Sequence, residues 1–389
     1  MFKTYTYRLY PNKEQEILLA KHFGCCRYVY NRALKLKTDA WKNEQKNLSF
    51  FDVCKELPKW KKDEDTKWLA EVNAQSLQAS LAAVDAAYTN FFKKRAAFPK
   101  FKKKNSKQSF KFPDGGTIDD KTIKVRKLGK IKAVIDRPHV RGKIKSVTIS
   151  KTSTGKYFAS VLCDDGLELP PKKPITEETT LGVDLGLTTF ATLSNGVKIT
   201  NPRHLKPKIK KLKRAQRALS RRVKGSKNRI KAKHILAIIH EKVSNCRKDF
   251  IHKVTTKLVN DNQVDSFCIE DLAVKDMMQN HRLAHSIGDV GWGMTKVLLK
   301  YKAERKGKNV ITIGRFEPSS KMCSCGVINS TLTLKDRVWT CTSCNVTHDR
   351  DLLAAQNIKR FALHPQNLIG QDLPEFTPVE TDGRRGSRN

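Results

Sequence analysis

"LGVDLGLTTFATLSNGVKI", residues 181–199, sets an acid, Asp184, inside an otherwise apolar strand between Gly182 and Gly186. Burying a lone carboxylate is costly unless a cation or strong donors meet it. The segment predicts three short strands, with Asn195-Gly196 as the strongest hairpin signal in the chain. Two later acids sit in similar places. Glu270 follows the apolar "SFCI" of residues 266–269, and Asp351 opens the helical "DLLAAQNI" directly after Arg350. Acids at the ends of strands and helices can be gathered by a rigid scaffold although they are far apart in sequence. Each also has a plainer use: Asp351 or Asp349 as a helix cap, Glu270 or Asp271 as the partner of a lysine, Asp184 as an acceptor of backbone hydrogen bonds. Together, in a basic chain, they point to a metal site. Two Mg²⁺ ions about 3.5–4 Å apart clamp the attacking and leaving oxygens of a phosphoryl displacement, and hard oxygen ligands hold them.

The chain has 389 residues, and 77 Lys and Arg against 38 Asp and Glu give a formal charge of +39. Such a balance calls for a polyanionic partner, with nucleic acid foremost. A hydrophobic fraction of 39% supports a folded chain of two or three domains. No run approaches the roughly 18 apolar residues of a spanning helix, and "MFKTYTYRLYPNKEQ" lacks the apolar core of a signal peptide. A cytoplasmic protein with no membrane partner is therefore expected. With reduced thiols, Cys25, Cys26, Cys54, Cys163, Cys246 and Cys268 read as small buried hydrophobes.

Towards the N-terminus, "YTYRLYPN" predicts a strand ending at Pro11-Asn12, followed by a helix from about Lys13. Residues 73–94 place Leu77, Leu81, Val84, Tyr88 and Phe91 at helical spacing, with Gln75 and Gln78 near the start. "FPKFKKKNSKQSFKFP", residues 98–113, interleaves Phe with Lys. It suits either a ribbon that stacks on bases or a basic loop pinned to the core by its phenylalanines. Alternation from Lys121 to Cys163 predicts an antiparallel sheet or small barrel, and the Pro- and acid-rich 164–179 marks a domain boundary. Two helices follow between about Lys206 and Val259, broken near Gly225-Ser226. Ile209, Leu212, Ala215, Leu219 and Val223 form a narrow stripe among almost unrelieved cations. Because a solvated helix normally mixes signs, Lys210, Lys213, Arg214, Arg217, Arg221 and Arg222 are candidates for nucleic-acid contact. A helix near 291–307, a strand at 309–314 and a last helix from about Asp351 complete the pattern. The tail after Leu363 has too little apolar periodicity to pack and is expected to be mobile.

Between those last elements stand Cys323, Cys325, Cys341 and Cys344. Fifteen residues separate Cys325 from Cys341, as in a zinc ribbon, but the first pair is C-x-C, one residue shorter than the usual knuckle. Four cysteines on Zn²⁺, three cysteines with His348, and a metal-free ribbon all fit this spacing. Whichever holds, a rigid ribbon immediately before Asp351 would bear on where that carboxylate points.

"YRLYPNKEQ", "FGCCRYVYNRAL", "FPKFK", "GVDLGL", "IEDL" and "HDRDLLAAQNI" resemble the TnpB family, nucleases of insertion sequences related to type V CRISPR effectors, from Phe2 to about Leu363. The resemblance implies a multidomain protein of mixed α/β and α+β class. Residues 180–322 and 346–363 would form an RNase H-like (RuvC-type) nuclease core, with a zinc ribbon inserted at 323–345. Residues 1–12 and 96–170 would form an antiparallel β wedge domain, carrying a helical recognition lobe at 13–95, and 364–389 would be the tail. It implies an RNA-guided DNA endonuclease: a guide RNA from the transposon end pairs with a double-stranded DNA target beside a short flanking motif, with one protein chain per RNA. Asp184, Glu270 and Asp351 would be the catalytic ligands of two Mg²⁺ ions. Gln75 and Gln78 fall where the family reads the flanking motif, and Gln suits a bidentate contact to adenine. Where the family's last motif commonly has Asn two residues after the catalytic Asp, this chain has Leu353. Two other functions also suit the residues: a non-catalytic nucleic-acid binder in which the acids are structural, and a strand-transferring transposase of the same fold. No inserted His-Asn-His nuclease lies between Asp184 and Glu270, so one site would have to serve both strands.

Overall fold

Alternation shapes the first element: in β1 (Phe2–Tyr10), Tyr7 and Leu9 turn into the core while Thr6 and Tyr10 stay exposed. Asn12 then stops the strand and starts α1 (Lys13–Glu44) through a capping box. Its Oδ1 accepts from the Gln15 backbone N–H at 2.8 Å, and Gln15 Oε1 accepts from the Asn12 N–H at 3.1 Å. α2 (Phe50–Lys62) and α3 (Ala74–Phe92) follow, α3 burying Leu77, Leu81 and Val84 on one face. The strands β2 (Gln108–Phe112), β3 (Thr117–Ile118), β4 (Thr122–Val125), β5 (Gly129–Val134), β6 (Lys143–Lys151) and β7 (Tyr157–Asp164) join β1 in one antiparallel sheet, ordered β2-β6-β7-β1-β5-β4-β3. The Phe-Lys ribbon of residues 98–113 is divided by this sheet. Its second half is β2, and Phe110 and Phe112 are core residues packed on His22, whereas Phe98 and Phe101 remain exposed.

The computed structural model describes residues 1–105, 107–136, 142–333 and 335–364. The chain divides into two units, Met1–Glu168 with Lys211–Glu241, and Leu169–Lys210 with Lys242–Asn389. Beyond His364, the tail expected to be mobile lies outside the described residues.

In the second unit, β8 (Thr180–Asp184), β9 (Thr189–Leu193) and β10 (Lys198–Thr200) form an antiparallel meander. Asn195-Gly196 makes the last turn, with Gly196 at φ +88°. α4 (Ile209–Ser220) and α5 (Lys227–Asn260) are each shared between the units by sequence. The stripe on α4 is only half-buried, Val223 lies past the helix end and is exposed, and all six candidate cations are exposed. Arg229 Nη1 donates to the carbonyls of Leu219 at 2.9 Å and Arg222 at 2.6 Å, giving two acceptors at the end of α4 a cationic donor. The chain continues through β11 (Ser266–Glu270), α6 (Val274–Met277), α7 (Ala284–Val290), α8 (Trp292–Glu304), β12 (Asn309–Ile313), β13 (Val338–Thr340), β14 (Thr347–Asp349) and α9 (Arg350–Leu363). β11 runs parallel to both β8 and β12, giving a mixed sheet ordered β10-β9-β8-β11-β12. Successive residues of a strand face opposite sides, and β11 shows it. Phe267 and Ile269 pack among Ile251, Trp292 and Leu299 of α5 and α8, whereas Cys268 packs with Ile358 and Phe361 of α9. Helices thus cover both faces, as a sheet with parallel central strands requires. Among the described residues, no helix is long and apolar enough to cross a membrane.

Candidate active site

The register fixes two of the three acids. Cys268 pairs with Gly182 and Ile269 with Val183, so Glu270 and Asp184 are the next neighbours, at the carboxyl ends of two parallel strands. Counting by twos, Asp184 shares the face of Gly182, and Glu270 shares the face of Cys268, the face covered by α9. Close packing holds that helix in place: a Cβ at residue 182 would stand 1.9 Å from the Ala355 carbonyl oxygen, so Gly182 is what lets α9 reach the strand. Asp349 caps α9, its Oδ1 accepting from the N–H groups of Asp351 at 3.1 Å and Leu352 at 3.0 Å. Lys198 Nζ holds the other Asp349 oxygen at 2.6 Å. With the cap supplied by Asp349, Asp351 in the first turn is left to face the strand ends.

Asp184, Glu270 and Asp351 all line one cleft of about 780 Å³, which also takes in Ser319, Arg337 and Arg350. Burial, then the charges of Glu270 and Asp351, push the Asp184 carboxyl up to about 7, with Arg350 and Arg337 acting in the opposite direction. Burial also raises Glu270, against a hydrogen bond of 2.5 Å from Ser319 Oγ. Arg337 Nη1 lies 3.3 Å from Asp351 Oδ1. The carboxylate trio is an open arrangement, because its oxygens do not all come within 4.8 Å of one another. Asp271 is spent elsewhere: Lys296 at 2.9 Å and Arg315 at 3.1 Å hold it, and those bonds lower its pKa.

Ser319 and Arg337 carry no signal in the sequence. Ser319 is fixed through its carbonyl, which accepts from Asn357 Nδ2 of α9 at 2.7 Å. Arg337 arrives by strand pairing: Val338 lies opposite Asp349, and the Arg350 N–H donates to the Arg337 carbonyl at 2.9 Å.

The four cysteine sulfurs do gather, all within 4.8 Å of one another, with Cys323–Cys344 at 3.5 Å and Cys325–Cys341 at 3.7 Å. They form a cluster able to hold a metal. The shortened first knuckle closes because Gly326 adopts φ +94° and donates to the Cys323 carbonyl at 3.0 Å. Asn345, at φ +57°, does the same for the second knuckle, donating to the Cys341 carbonyl. The backbone amides of Cys344 and Ser343 pull the Cys341 thiol down to about 6, favouring the thiolate that a metal needs. His348 Nε2 stands outside the four-sulfur cluster, 3.0 Å from Cys323 Sγ. Leu353 is buried with Cys323, Trp339 and Cys341, so this departure from the family's motif fills the core of the cysteine module.

Gln75 and Gln78 lie in the first turns of α3 beside a shallow cleft with Lys111 and Asp114, where the Gln75 amide nitrogen can donate to Asp114 Oδ1 at 3.2 Å.

Three family models match the chain: one described as "Probable transposase", of the OrfB type of IS605, over residues 163–281; a helix-turn-helix domain over 1–46; and the TNB domain of Cas12f1-like proteins over 292–358. In the structure residues 1–46 hold one strand and one long helix, β1 and α1. A Streptomyces pristinaespiralis protein provisionally named an RNA-guided DNA endonuclease is 38% identical over 92% of this chain and 88% of its own length. InsQ of Escherichia coli K12, provisionally named in the same way, is 31% identical over 98% and 97%. A solved Cas12f1–sgRNA–target DNA complex aligns with 92% of this chain and 98% of its own at 14% identity, with a TM-score of 0.49.

Proposed function

Since the chain belongs to the TnpB/Cas12f1-like family, RNA-guided endonucleases related to type V CRISPR effectors, we propose that it cuts DNA under the guidance of RNA, at the cleft of Asp184, Glu270 and Asp351. One observation carries the reading: three carboxylates from distant parts of the chain line one cleft, where burial first, and then Glu270 and Asp351, raise the Asp184 carboxyl to about 7. A structural role would favour pairing each acid with a base, as the protein does for Asp271, whereas of the three only Asp351 has an ion pair here, with Arg337. A buried carboxyl raised by burial and by two neighbouring acids instead marks a functional site.

The donor set fits magnesium, with hard carboxylate oxygens around an open cleft and no thiol or imidazole among the three ligands. Bound there, two Mg²⁺ ions would supply charge stabilisation for the attacking and leaving oxygens of an in-line phosphodiester hydrolysis. Asp184, Glu270 and Asp351 would hold them. Ser319 orients the Glu270 carboxylate, and Arg337 steadies Asp351 while keeping a cation beside the path of the phosphate. On this reading residues 180–322 and 346–363 are a RuvC-like nuclease domain, 1–12 and 96–170 a wedge domain, and 13–95 a recognition lobe. Gln75 and Gln78 read the motif beside the target, and the exposed cations of α4 and of the turn after it, Lys210 to Arg222, track the phosphates of guide RNA or DNA. The four cysteines hold Zn²⁺. A tetrahedron with Zn–S bonds of about 2.3 Å has edges of about 3.8 Å, which suits the 3.5 and 3.7 Å separations found here. In that geometry His348 donates Nε2–H to the Cys323 sulfur and is not a fifth ligand. The zinc role is structural, fixing the start of α9 and therefore Asp351.

The test is Mg²⁺-dependent cleavage of motif-flanked DNA by protein purified with its RNA. Asp184→Ala should abolish cutting, and undiminished cutting by that variant would overturn the site. The model described as "Probable transposase" favours a second reading, strand transfer, which joined products in a strand-joining assay would reveal.

A further inference from the structure

On the N-terminal unit, α1 carries a second cleft, of about 740 Å³, that the cutting chemistry leaves unused. Its walls are aromatic. Trp68 (38% exposed) meets the Tyr28 ring edge-on at 5.0 Å, and Phe101 (55% exposed) stands free on the loop before β2. Lys21, Arg27, Arg32 and Lys35 line it with one acid, Glu71; Lys21 holds Glu71 Oε2 and Arg32 reaches Asp63 at 3.6 Å, which leaves Arg27 and Lys35 as the cations to meet a phosphate.

The cleft is built and held rather than merely left open. Trp68 Nε1 donates to the Asp65 carbonyl at 2.9 Å. The segment bearing Phe101 is pinned to α1 by a reciprocal pair: Asn31 Nδ2 donates to the Lys102 carbonyl at 3.0 Å, and the Lys102 N–H donates to Asn31 Oδ1 at 2.8 Å. Lys102 Nζ sits 3.9 Å above the Tyr30 ring, and Arg32 lies over Trp60 at 4.8 Å. Exposed rings on a fixed backbone have lost little freedom still to be lost on binding, and each has a π-face to offer. Cations around such rings match a phosphate with a base attached. The one acid narrows the choice further. A carboxylate repels phosphate but accepts from a ribose 2′-hydroxyl, the group that distinguishes RNA from DNA.

We propose that this cleft receives one unpaired nucleotide of single-stranded RNA. Its base stacks on Trp68 or Phe101, its phosphate faces Arg27 and Lys35, and its 2′-hydroxyl donates to Glu71 Oε1, the oxygen opposite the one that Lys21 holds. The inference rests on the RNA-binding half of the proposed function and is independent of the nuclease cleft.

The experiment uses the full chain, freed of nucleic acid at high salt. A single-stranded RNA containing 4-thiouridine is photo-crosslinked and its adducts are mapped by mass spectrometry, and affinities are measured for the RNA, its deoxy counterpart and its duplex. Adducts should fall on peptides carrying Tyr28, Trp68 or Phe101. Trp68→Ala or Phe101→Ala, whichever removes the ring that carries the base, should weaken single-strand RNA binding about 10-fold, the effect of losing one base–aromatic stack, and leave duplex binding unchanged. Trp68→Phe should recover most of the loss. The Phe101 change removes an exposed ring, so it tests the cleft even if Trp68→Ala fails to fold. No adduct in the cleft, wild-type affinity in both alanine variants, or equal binding of the deoxy strand would overturn the proposal. Asp184→Ala should bind RNA like the wild type. Its loss of cutting therefore reports on the nuclease reading alone, and loss of binding in the cleft variants reports on this one.

Discussion

Replacing Asp184 with Asn should make the metal-free protein more stable while destroying its activity. The Asp184 carboxyl is raised from its ordinary 3.8 to about 7 by burial and by Glu270 and Asp351. Between those two pH values the unfolded chain has released this proton and the native one has kept it, so stability falls as pH rises from about 4 to about 7. Roughly three pH units at 1.36 kcal/mol each set a ceiling of about 4 kcal/mol at pH 8. Asn keeps the shape without the charge, and recovering half or more of that ceiling corresponds to a rise in Tm of about 5–10 °C for a unit of this size. The assay is thermal melting in magnesium-free buffer at pH 8 and pH 5. The gap should shrink to less than half at pH 5, where the native carboxyl is protonated and only the unfolded chain still ionises. Magnesium should then raise the wild-type Tm by mass action and leave the variant's unmoved. An Asn variant that melts at or below the wild type at pH 8, or a gap that ignores pH, would refute the raised Asp184 carboxyl.

Three further outcomes follow from the same geometry. Gly182→Ala should cost about 3 kcal/mol or more by driving a methyl group into the Ala355 carbonyl. Chemical denaturation would measure it, and a neutral change would mean α9 is not packed as described. Asp349→Ala should lose about 1 kcal/mol through the missing cap and lower cleavage by loosening Asp351, whereas Asp349→Asn should keep most of both; equal losses in the two variants would count against the cap. Atomic emission should find about one zinc per chain in the wild type and in His348→Ala, and much less in Cys341→Ser. Zinc lost with His348 would support three cysteines plus histidine instead.

Much of the candidate site was legible because its acids end regular elements. The apolar run before Glu270 and the glycines beside Asp184 marked strand ends, and the helix after Asp351 marked its start. What could not be read was which acid does what. Asp349 and Asp351 both suit a helix start, and only the cap hydrogen bonds assign Asp349 to that task. Asp271 looks like Glu270 in sequence, yet it stands just past the end of β11 and is held by Lys296 and Arg315. Ser319 and Arg337 were invisible because a loop and a two-stranded ribbon deliver them, and neither leaves a periodic trace. The short C-x-C knuckle left open whether Cys323 and Cys325 could share one metal, and the positive φ at Gly326 closes the turn that brings both sulfurs into the cluster. The Phe-Lys ribbon is open to two readings because alternation with lysine suits a base-stacking strip and a segment pinned to the core equally; Phe110 and Phe112 are core residues, in a strand rather than the expected loop.

The most direct test of the central claim compares wild-type protein and Asp184→Ala, each purified with its RNA, on plasmid DNA carrying a guide-matched site and flanking motif, with and without magnesium. Cutting of both strands is expected from the wild type only when magnesium is present, and none from the variant although it carries the same RNA. Magnesium-independent cutting, or equal cutting by the variant, would contradict it.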